Sequence, residues 1–211
     1  MFTGLVEEVG SVKNIASAGN GKLITFNALL VTQHAKLGDS INVNGVCQTV
    51  VDLGKNYFSV EAVEETLKKT NFDRLKINEK VNFESSLTLN KKLGGHFVLG
   101  HVDTTGKIID VKKQSSSYLL KINFSQEFEK YIIHVGSIAV DGISLTIADF
   151  TKDSFTISVI PHTWENTNFK FRKLNDYVNL EFDVLGKYVD KILNKKSNSK
   201  ISEEWLKDLG Y

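Results

Sequence analysis

Two segments of this 211-residue chain are versions of each other. Val43-Asn44-Gly45-Val46-Cys47-Gln48-Thr49 returns 97 residues later as Val140-Asp141-Gly142-Ile143-Ser144-Leu145-Thr146. From Val43 to Glu84, 15 of 42 positions are identical to their partners, with Thr70-Asn71-Phe72 matching Thr167-Asn168-Phe169. Average residue usage would give about two or three such identities. The register begins earlier still, since Gly4-x-Val6-x-x-x-Gly10-x-Val12 matches Gly100-x-Val102-x-x-x-Gly106-x-Ile108 at an offset of 96. A chain built twice is expected to fold as two copies of one small domain. Two related pockets follow, suited to two copies of one small molecule.

Each repeat reads as short strands. Lys22-Leu-Ile-Thr-Phe, Ser40-Ile-Asn-Val, Gln48-Thr-Val-Val, Tyr57-Phe-Ser-Val and Lys80-Val-Asn-Phe-Glu are β-branched and aromatic, and Gly19-Asn20-Gly21, Asn44-Gly45, Gly54-Lys55-Asn56 and Asn78-Glu79 punctuate them. Ser117 to Ile122, Ser137 to Val140, Ser144 to Ile147, Ser154 to Ile160 and Tyr177 to Phe182 repeat the pattern. About six strands in some 90 residues predict a small closed barrel, because closure removes exposed sheet edges. Helical patches are short: Val31 to Lys36, Glu64 to Thr70, Gln126 to Ile132 and Thr163 to Asn168. The division expected is residues 1–96 for a first barrel with its linker, 97–184 for a second, and 185–211 for a C-terminal helix and tail. In that tail Leu185, Val189, Ile192 and Leu193 have helical spacing, and Ser202-Glu-Glu-Trp-Leu-Lys predicts a further short helix carrying Trp205.

Composition excludes several classes. Lys and Arg number 26 against 25 Asp and Glu, a net charge of +1 without a basic cluster, so nucleic acid is not an expected partner. No apolar run approaches a membrane span. The single Cys47 forbids an internal disulfide, and the opening Met-Phe-Thr-Gly-Leu-Val-Glu-Glu lacks the pattern of a secretory leader, which points to the cytoplasm. Lys195-Lys196 and Lys200 read as a solvated linker.

The chemistry must lie in a few segments. Cys47-x-Thr49 and Ser144-x-Thr146 each follow a turn dipeptide, and residues i and i+2 of a strand share a face. A turn followed by half-buried strand residues accounts for one copy; the second copy argues that these pairs face something common to both halves. His96 and His101 lack a third ligand for a metal site, and a structural histidine is as good a reading for either. Gly94-Gly95-His96-Phe97 to Gly100-His101-Val102-Asp103 is glycine-dense, but strand pattern rather than helix follows, so a phosphate loop is excluded. Such glycines let backbone approach a flat ligand. Glu61 to Thr66 aligns with Ser158 to Thr163, a strand-to-helix junction where Pro161, the only proline, is sterically allowed.

Together Met1-Phe2-Thr3-Gly4, Asn44 to Thr49, Gly94 to Asp103, Asp141 to Thr146 and Ile160-Pro161-His162-Thr163 resemble the signatures of the riboflavin synthase α-chain (lumazine-binding) family, over about residues 1 to 193. The resemblance implies an all-β fold of two tandem six-stranded Greek-key barrels plus a C-terminal helix. It implies a homotrimer held largely by that helix, with sites between the N-terminal barrel of one subunit and the C-terminal barrel of another. The implied reaction is dismutation of two 6,7-dimethyl-8-ribityllumazine molecules to riboflavin and 5-amino-6-(ribitylamino)uracil, without metal or redox cofactor. Association with lumazine synthase, which supplies that substrate, is a further partner it allows.

By this resemblance Gly4, Leu5, Val6, Cys47, Gln48, Thr49, Glu61, Ala62, Val63, Glu64, Glu65 and Thr66 meet the lumazine of the first barrel. Gly100, His101, Val102, Ser144, Leu145, Thr146, Ser158, Val159, Ile160, Pro161, His162 and Thr163 meet that of the second. Cys47, His101 and Ser144 are the candidate catalytic groups. The sequence departs from the family at Gln48, usually Leu, and at His134-Val135, often Glu-Lys. Two other classes fit parts of the pattern: a lumazine-binding protein without turnover, and a duplicated barrel used for protein contacts. Polar pairs in both pockets favour catalysis, and the Gly-His segment disfavours the contact barrel.

Overall fold

The structure, a computed structural model, describes residues 1–194 and Lys207. The expected helix around Trp205 and the basic positions from Lys195 to Lys200 lie outside the described residues. The first repeat supplies β1 (Glu8–Ala18), β2 (Gly21–Asn27), β3 (Ser40–Val43), β4 (Val46–Gly54), β5 (Tyr57–Ala62) and β6 (Lys80–Ser85). The second supplies β7 (Thr104–Lys113), β8 (Tyr118–Asn123), β9 (Ser137–Val140), β10 (Ile143–Phe150), β11 (Ser154–Val159) and β12 (Tyr177–Phe182). Each set closes into an antiparallel barrel, β1-β2-β5-β4-β3-β6 and, in the same Greek-key order, β7-β8-β11-β10-β9-β12.

Alternation drives both closures. Ile24, Phe26, Phe58, Val60, Val81 and Phe83 fill the first barrel, and Leu120, Ile122, Phe155, Ile157, Val178 and Leu180 fill the second. Register slips once in each of β1, β4, β7 and β10, at the equivalent steps Val12/Asn14, Val50/Asp52, Ile108/Asp110 and Ile147/Asp149. Such bulges bend and twist a strand, which lets six strands close. Among the described residues no helix is long and apolar enough to cross a membrane.

The most faithfully repeated residues form the seam between barrels. Gly45 and Gly142 meet back to back, both with positive φ (85° and 77°), and a Cβ on Gly142 would lie 2.7 Å from the Gly45 nitrogen. Around them Asn82 Nδ2 donates to Asp141 O at 3.0 Å, and its repeat partner Asn179 Nδ2 donates to Asn44 O at 2.7 Å. Asn71 N–H donates to Asn179 Oδ1 and Asn168 N–H to Asn82 Oδ1, each at 2.7 Å. Nearly every bond thus has a twin related by the repeat. The repeat breaks at one corner. Asp141, fully buried, stands opposite Asn44, and Arg172, opposite Leu75, donates from Nη2 to Asp141 at 2.6 Å and from Nη1 to Glu79 at 2.9 Å. Burial works against the guanidinium's charge, but the two carboxylates hold its pKa above the ordinary value.

Two arms cross this seam. Phe2 pairs with Val98 as an isolated bridge, and both are fully buried. Glu84 on β6 accepts from Thr3 N–H at 2.8 Å and Gly4 N–H at 3.0 Å; Glu181 on β12 accepts from Leu99 N–H at 2.7 Å and Gly100 N–H at 2.9 Å. Each carboxylate therefore grips the arm preceding its own barrel and aims it at the other one.

Short helices follow the fifth strand of each barrel: α1 (Glu64–Lys69) and α2 (Pro161–Glu165). The second is shorter than the expected Thr163 to Asn168, because Thr167 turns extended and its Oγ accepts from Phe169 N–H to start a separate 3-10 turn. The last helix, α3 (Val184–Leu193), is capped by Asp183, whose side chain accepts from Leu185 N–H. Its Leu185, Val189, Ile192 and Leu193 are exposed, beside a groove of about 390 Å³ bordered by Tyr131, Ile133 and Gly136.

Val135 lies in the left-handed region at φ 62°, where the first repeat has Gly38 at φ 87°. A β-branched residue there is strained by roughly 1–3 kcal/mol, and Val135 is exposed, so its side chain returns little by burial. Val135→Asn, a residue that tolerates this conformation, is expected to raise Tm by about 2–4 °C in a thermal melt.

Candidate functional site

The outer faces of β4 and β10 carry the small polar pairs. Cys47 and Thr49 point outward while Val46, Gln48 and Val50 point into the core; Ser144 and Thr146 point outward while Leu145 packs inward. Gln48 and Leu145 were expected to bind ligand and instead face the barrel interiors, as strand alternation requires. The Gln48 amide donates to its neighbour's carbonyl, Cys47 O, at 2.8 Å.

The arms are exchanged relative to expectation. Gly100 O accepts from Cys47 N–H at 2.8 Å, and Gly4 O accepts from Ser144 N–H at 2.8 Å. Val102 packs on the first barrel's core and Val6 on the second's. Gly4, Leu5 and Val6 thus belong with Ser144, and Gly100, His101 and Val102 with Cys47. The cause is the grip of Glu84 and Glu181, which directs each arm across the seam before its own barrel begins. Glycine is required at both crossings. Gly4 and Gly100 have φ of 76° and 79°, and an added Cβ would lie 2.5 Å from Ser144 Cβ or 2.6 Å from Cys47 Cβ.

At the first barrel, Val46, Cys47, Glu65, Thr66, Lys69, Thr70, Gly100, His101 and Val102 line one depression of about 230 Å³. Its rim carries the Glu65–Lys69 ion pair at 2.9 Å, where the ammonium lowers the Glu65 pKa. Glu61, Ala62, Val63 and Glu64 lie apart, around a depression of about 220 Å³ shared with Gly21 and Lys22. Only Glu65 and Thr66 of that run join Cys47. At the second barrel, Val6 and His162 border a space of about 430 Å³ with Glu7, Glu8, Leu30 and Lys170. Ser158, Ile160 and Pro161 are exposed, Val159 is buried, and half-buried Thr163 gives its carbonyl to Thr167 Oγ. A cavity of about 630 Å³ around Arg74, Arg172 and Tyr177 is lined by none of the expected residues.

One residue set aside by the sequence reading sits inside the second site. His96 Nδ1 is 2.7 Å from Ser144 Oγ. The imidazole is 9% exposed, and its Nε2 has no hydrogen-bond partner among the described residues. Burial lowers its pKa, with the Asp183 carboxylate opposing. The glycine-dense segment was the available signal, but spacing alone does not show that it folds over β10. Among the described residues no group of three or more metal-ligating side chains converges.

The family model described as "Lumazine binding domain" matches residues 3–86 and again 99–183. The riboflavin synthase of Actinobacillus pleuropneumoniae is 43% identical over 215 aligned residues, covering all of both chains. The chain belongs to the riboflavin synthase family. The Bacillus subtilis (strain 168) riboflavin synthase is 39% identical over the full length of both chains, and the Schizosaccharomyces pombe relative 37% identical over 92% of this chain and 94% of that one. The fold also matches the crystal structure of LumP complexed with riboflavin, at TM-score 0.81 and 20% identity, covering 86% of this chain and 99% of that one. Family membership thus agrees with the duplicated barrel.

The buried His96 makes stability depend on pH. Its folded pKa is depressed below the ordinary 6.5, so below that value the unfolded chain binds a proton the folded chain resists. Stability is present above about pH 6.5 and is lost as pH falls toward the lower folded value. The fall in Tm between about pH 7.5 and 5.5 is expected to be smaller in His96→Asn than in the wild type.

Proposed function

We propose that the chain is a riboflavin synthase acting on two molecules of 6,7-dimethyl-8-ribityllumazine. One donates a four-carbon unit to the other, giving riboflavin and 5-amino-6-(ribitylamino)uracil as the closing step of riboflavin biosynthesis. The two products contain the atoms of the two substrates, so the reaction needs no net oxidant or reductant. The observation that carries this reading is that one arrangement occurs twice: a glycine carbonyl held at 2.8 Å by the amide of a small polar residue, Cys47 on one barrel and Ser144 on the other. Two like substrates need two like seats.

The backbone of each crossed arm lets a flat heterocycle lie close, and the hydroxyls of Thr49, Thr66, Thr146 and Thr163 suit a ribityl chain. Both seats open on the outer surface of their barrels, which suits a site completed by another subunit. Holding two rings in register replaces a bimolecular encounter, worth about 7–11 kcal/mol at best. The remaining task is proton movement at the acidic 7-methyl group, for which Cys47, Ser144 and His101 are the candidate groups. Such assistance is typically worth about 10²- to 10⁴-fold.

A homotrimer is supported by the apolar face of α3, where four large aliphatic side chains are exposed among the described residues. A cytoplasmic location fits the single free cysteine. Incubating the protein with the lumazine alone, in the presence of a chelator, is expected to generate riboflavin fluorescence. Ligand binding without fluorescence gain would leave a carrier protein instead. Removing residues 186–211 is expected to weaken the trimer and turnover together, read by sedimentation and the same assay. A truncated chain that stays trimeric and active would refute the role of α3.

A further inference from the structure

The two seats match in backbone and differ in side-chain chemistry. At both, a glycine carbonyl accepts from the amide of the polar residue. At the second seat an imidazole bonds the polar residue itself, with His96 Nδ1 at 2.7 Å from Ser144 Oγ, whereas at the first Cys47 is a free thiol and His101 lines the same depression. We infer that His96 is the positioning residue of Ser144, fixing its hydroxyl toward the lumazine of the second barrel and making Ser144 the principal proton-handling group. This inference rests on the riboflavin synthase reading.

Three observations carry it. First, the placement is built. Gly95 allows the linker to pass where a Cβ would lie 2.2 Å from Thr3 O and 2.8 Å from Ser144 Oγ. The Phe2–Val98 bridge, with N–H···O distances of 2.7 and 3.2 Å, then pins the segment just beyond His96. Second, the placement is costly to the fold. A buried imidazole with one nitrogen unpartnered is destabilising, because a half-satisfied polar group loses its hydration without full return. Third, Ser144 is held at two points, its N–H by Gly4 O and its Oγ by His96, so its rotamer is fixed before any ligand arrives. If Nδ1 carries the proton, the Ser144 O–H is left to donate to the ligand; if Nδ1 is bare, the Oγ lone pairs are left to accept. Either tautomer aims one function of Ser144 at the seat, so the positioning role does not depend on which is present.

The test is a double-mutant cycle on the full chain, with kcat and KM from riboflavin fluorescence. His96→Ala and Ser144→Ala are each expected to lower kcat about tenfold to a hundredfold while KM moves less than about threefold. The double variant should be no slower than the worse single one, since the two act as a unit. His96→Asn, whose amide can replace Nδ1 as donor or acceptor, should recover kcat to within about threefold of wild type; a role confined to packing would not predict that rescue. Independent, multiplying losses, a KM effect without a kcat effect, or His96→Asn as slow as His96→Ala would overturn the inference. Thermal melts of each variant identify any loss that comes from unfolding, and His96→Asn then decides the matter. A wild-type chain that makes no riboflavin would remove the functional reading and this inference with it. A wild-type chain that turns over no faster than His96→Ala would remove the inference alone.

Discussion

Asp141→Ala is expected to destabilise the chain by roughly 3–5 kcal/mol, a large share of the 5–15 kcal/mol typical of a folded protein. The carboxylate is fully buried and accepts from Asn179 N–H at 2.8 Å, Asn168 Nδ2 at 2.7 Å and Arg172 Nη2 at 2.6 Å. Alanine leaves the guanidinium with Glu79 alone, and an unbalanced buried charge is what makes breaking such a pair expensive. Because the seam joins the barrels, urea denaturation should show a lower midpoint and a broadened or split transition. The repeat supplies its own control. Asn44 and Leu75 occupy the matching corner of the first half, so Asp141→Asn combined with Arg172→Leu rebuilds the second half in the image of the first. That double variant is expected to recover most of the loss, since replacing both members of a buried pair is far cheaper than removing one. A single Asp141→Ala variant within about 1 kcal/mol of wild type would show that the corner contributes little.

The second large effect concerns the crossed arms. Gly100→Val should abolish ligand binding at the first barrel, although residue 100 belongs by sequence to the second repeat. The new Cβ would lie 2.6 Å from Cys47 Cβ and 2.8 Å from Cys47 N, at a φ of 79° that a β-branched residue resists. The arm must lift, breaking the bond from Cys47 N–H to Gly100 O. Titration calorimetry with the lumazine is expected to show loss of one of two binding events per chain. Turnover should fall about a hundredfold or more, the scale of a misplacement near 1 Å. Gly4→Val should remove the other event. Retention of both events in either variant would contradict the exchange of arms.

The two barrels were legible because strand alternation and turn dipeptides are local signals, written twice. β1 is not among the strands named from the sequence, because its bulge, polar tail and scattered valines conceal eleven residues of strand. Cys47, Thr49, Ser144 and Thr146 stand out in the sequence through their repeat, and the structure puts each pair on one outer strand face. The neighbours Gln48 and Leu145 were overcounted, because a motif read as a block ignores that alternate residues point opposite ways. The partnership of Gly4 to Val6 with Ser144 was not legible. It depends on Glu84, eighty residues away, gripping an arm that then crosses a seam. In the sequence the Asn-Gly segment reads as a turn and the Thr-Asn-Phe segment only as an identity between the halves, whereas in the structure Asn44, Asn71, Asn82 and their partners bind the halves to each other. Internal identity marks any surface that a copy must meet, and the nearest such surface is the other copy.

The arm around Gly4 constrains the order of assembly. Thr3 and Gly4 can be gripped by Glu84 once the first barrel has closed, but the Gly4 carbonyl reaches its resting place only when Ser144 exists to receive it. During synthesis that amide emerges 140 residues later. A segment made 140 residues before its acceptor therefore waits to be seated, and neither candidate seat is finished until the second half has folded against it.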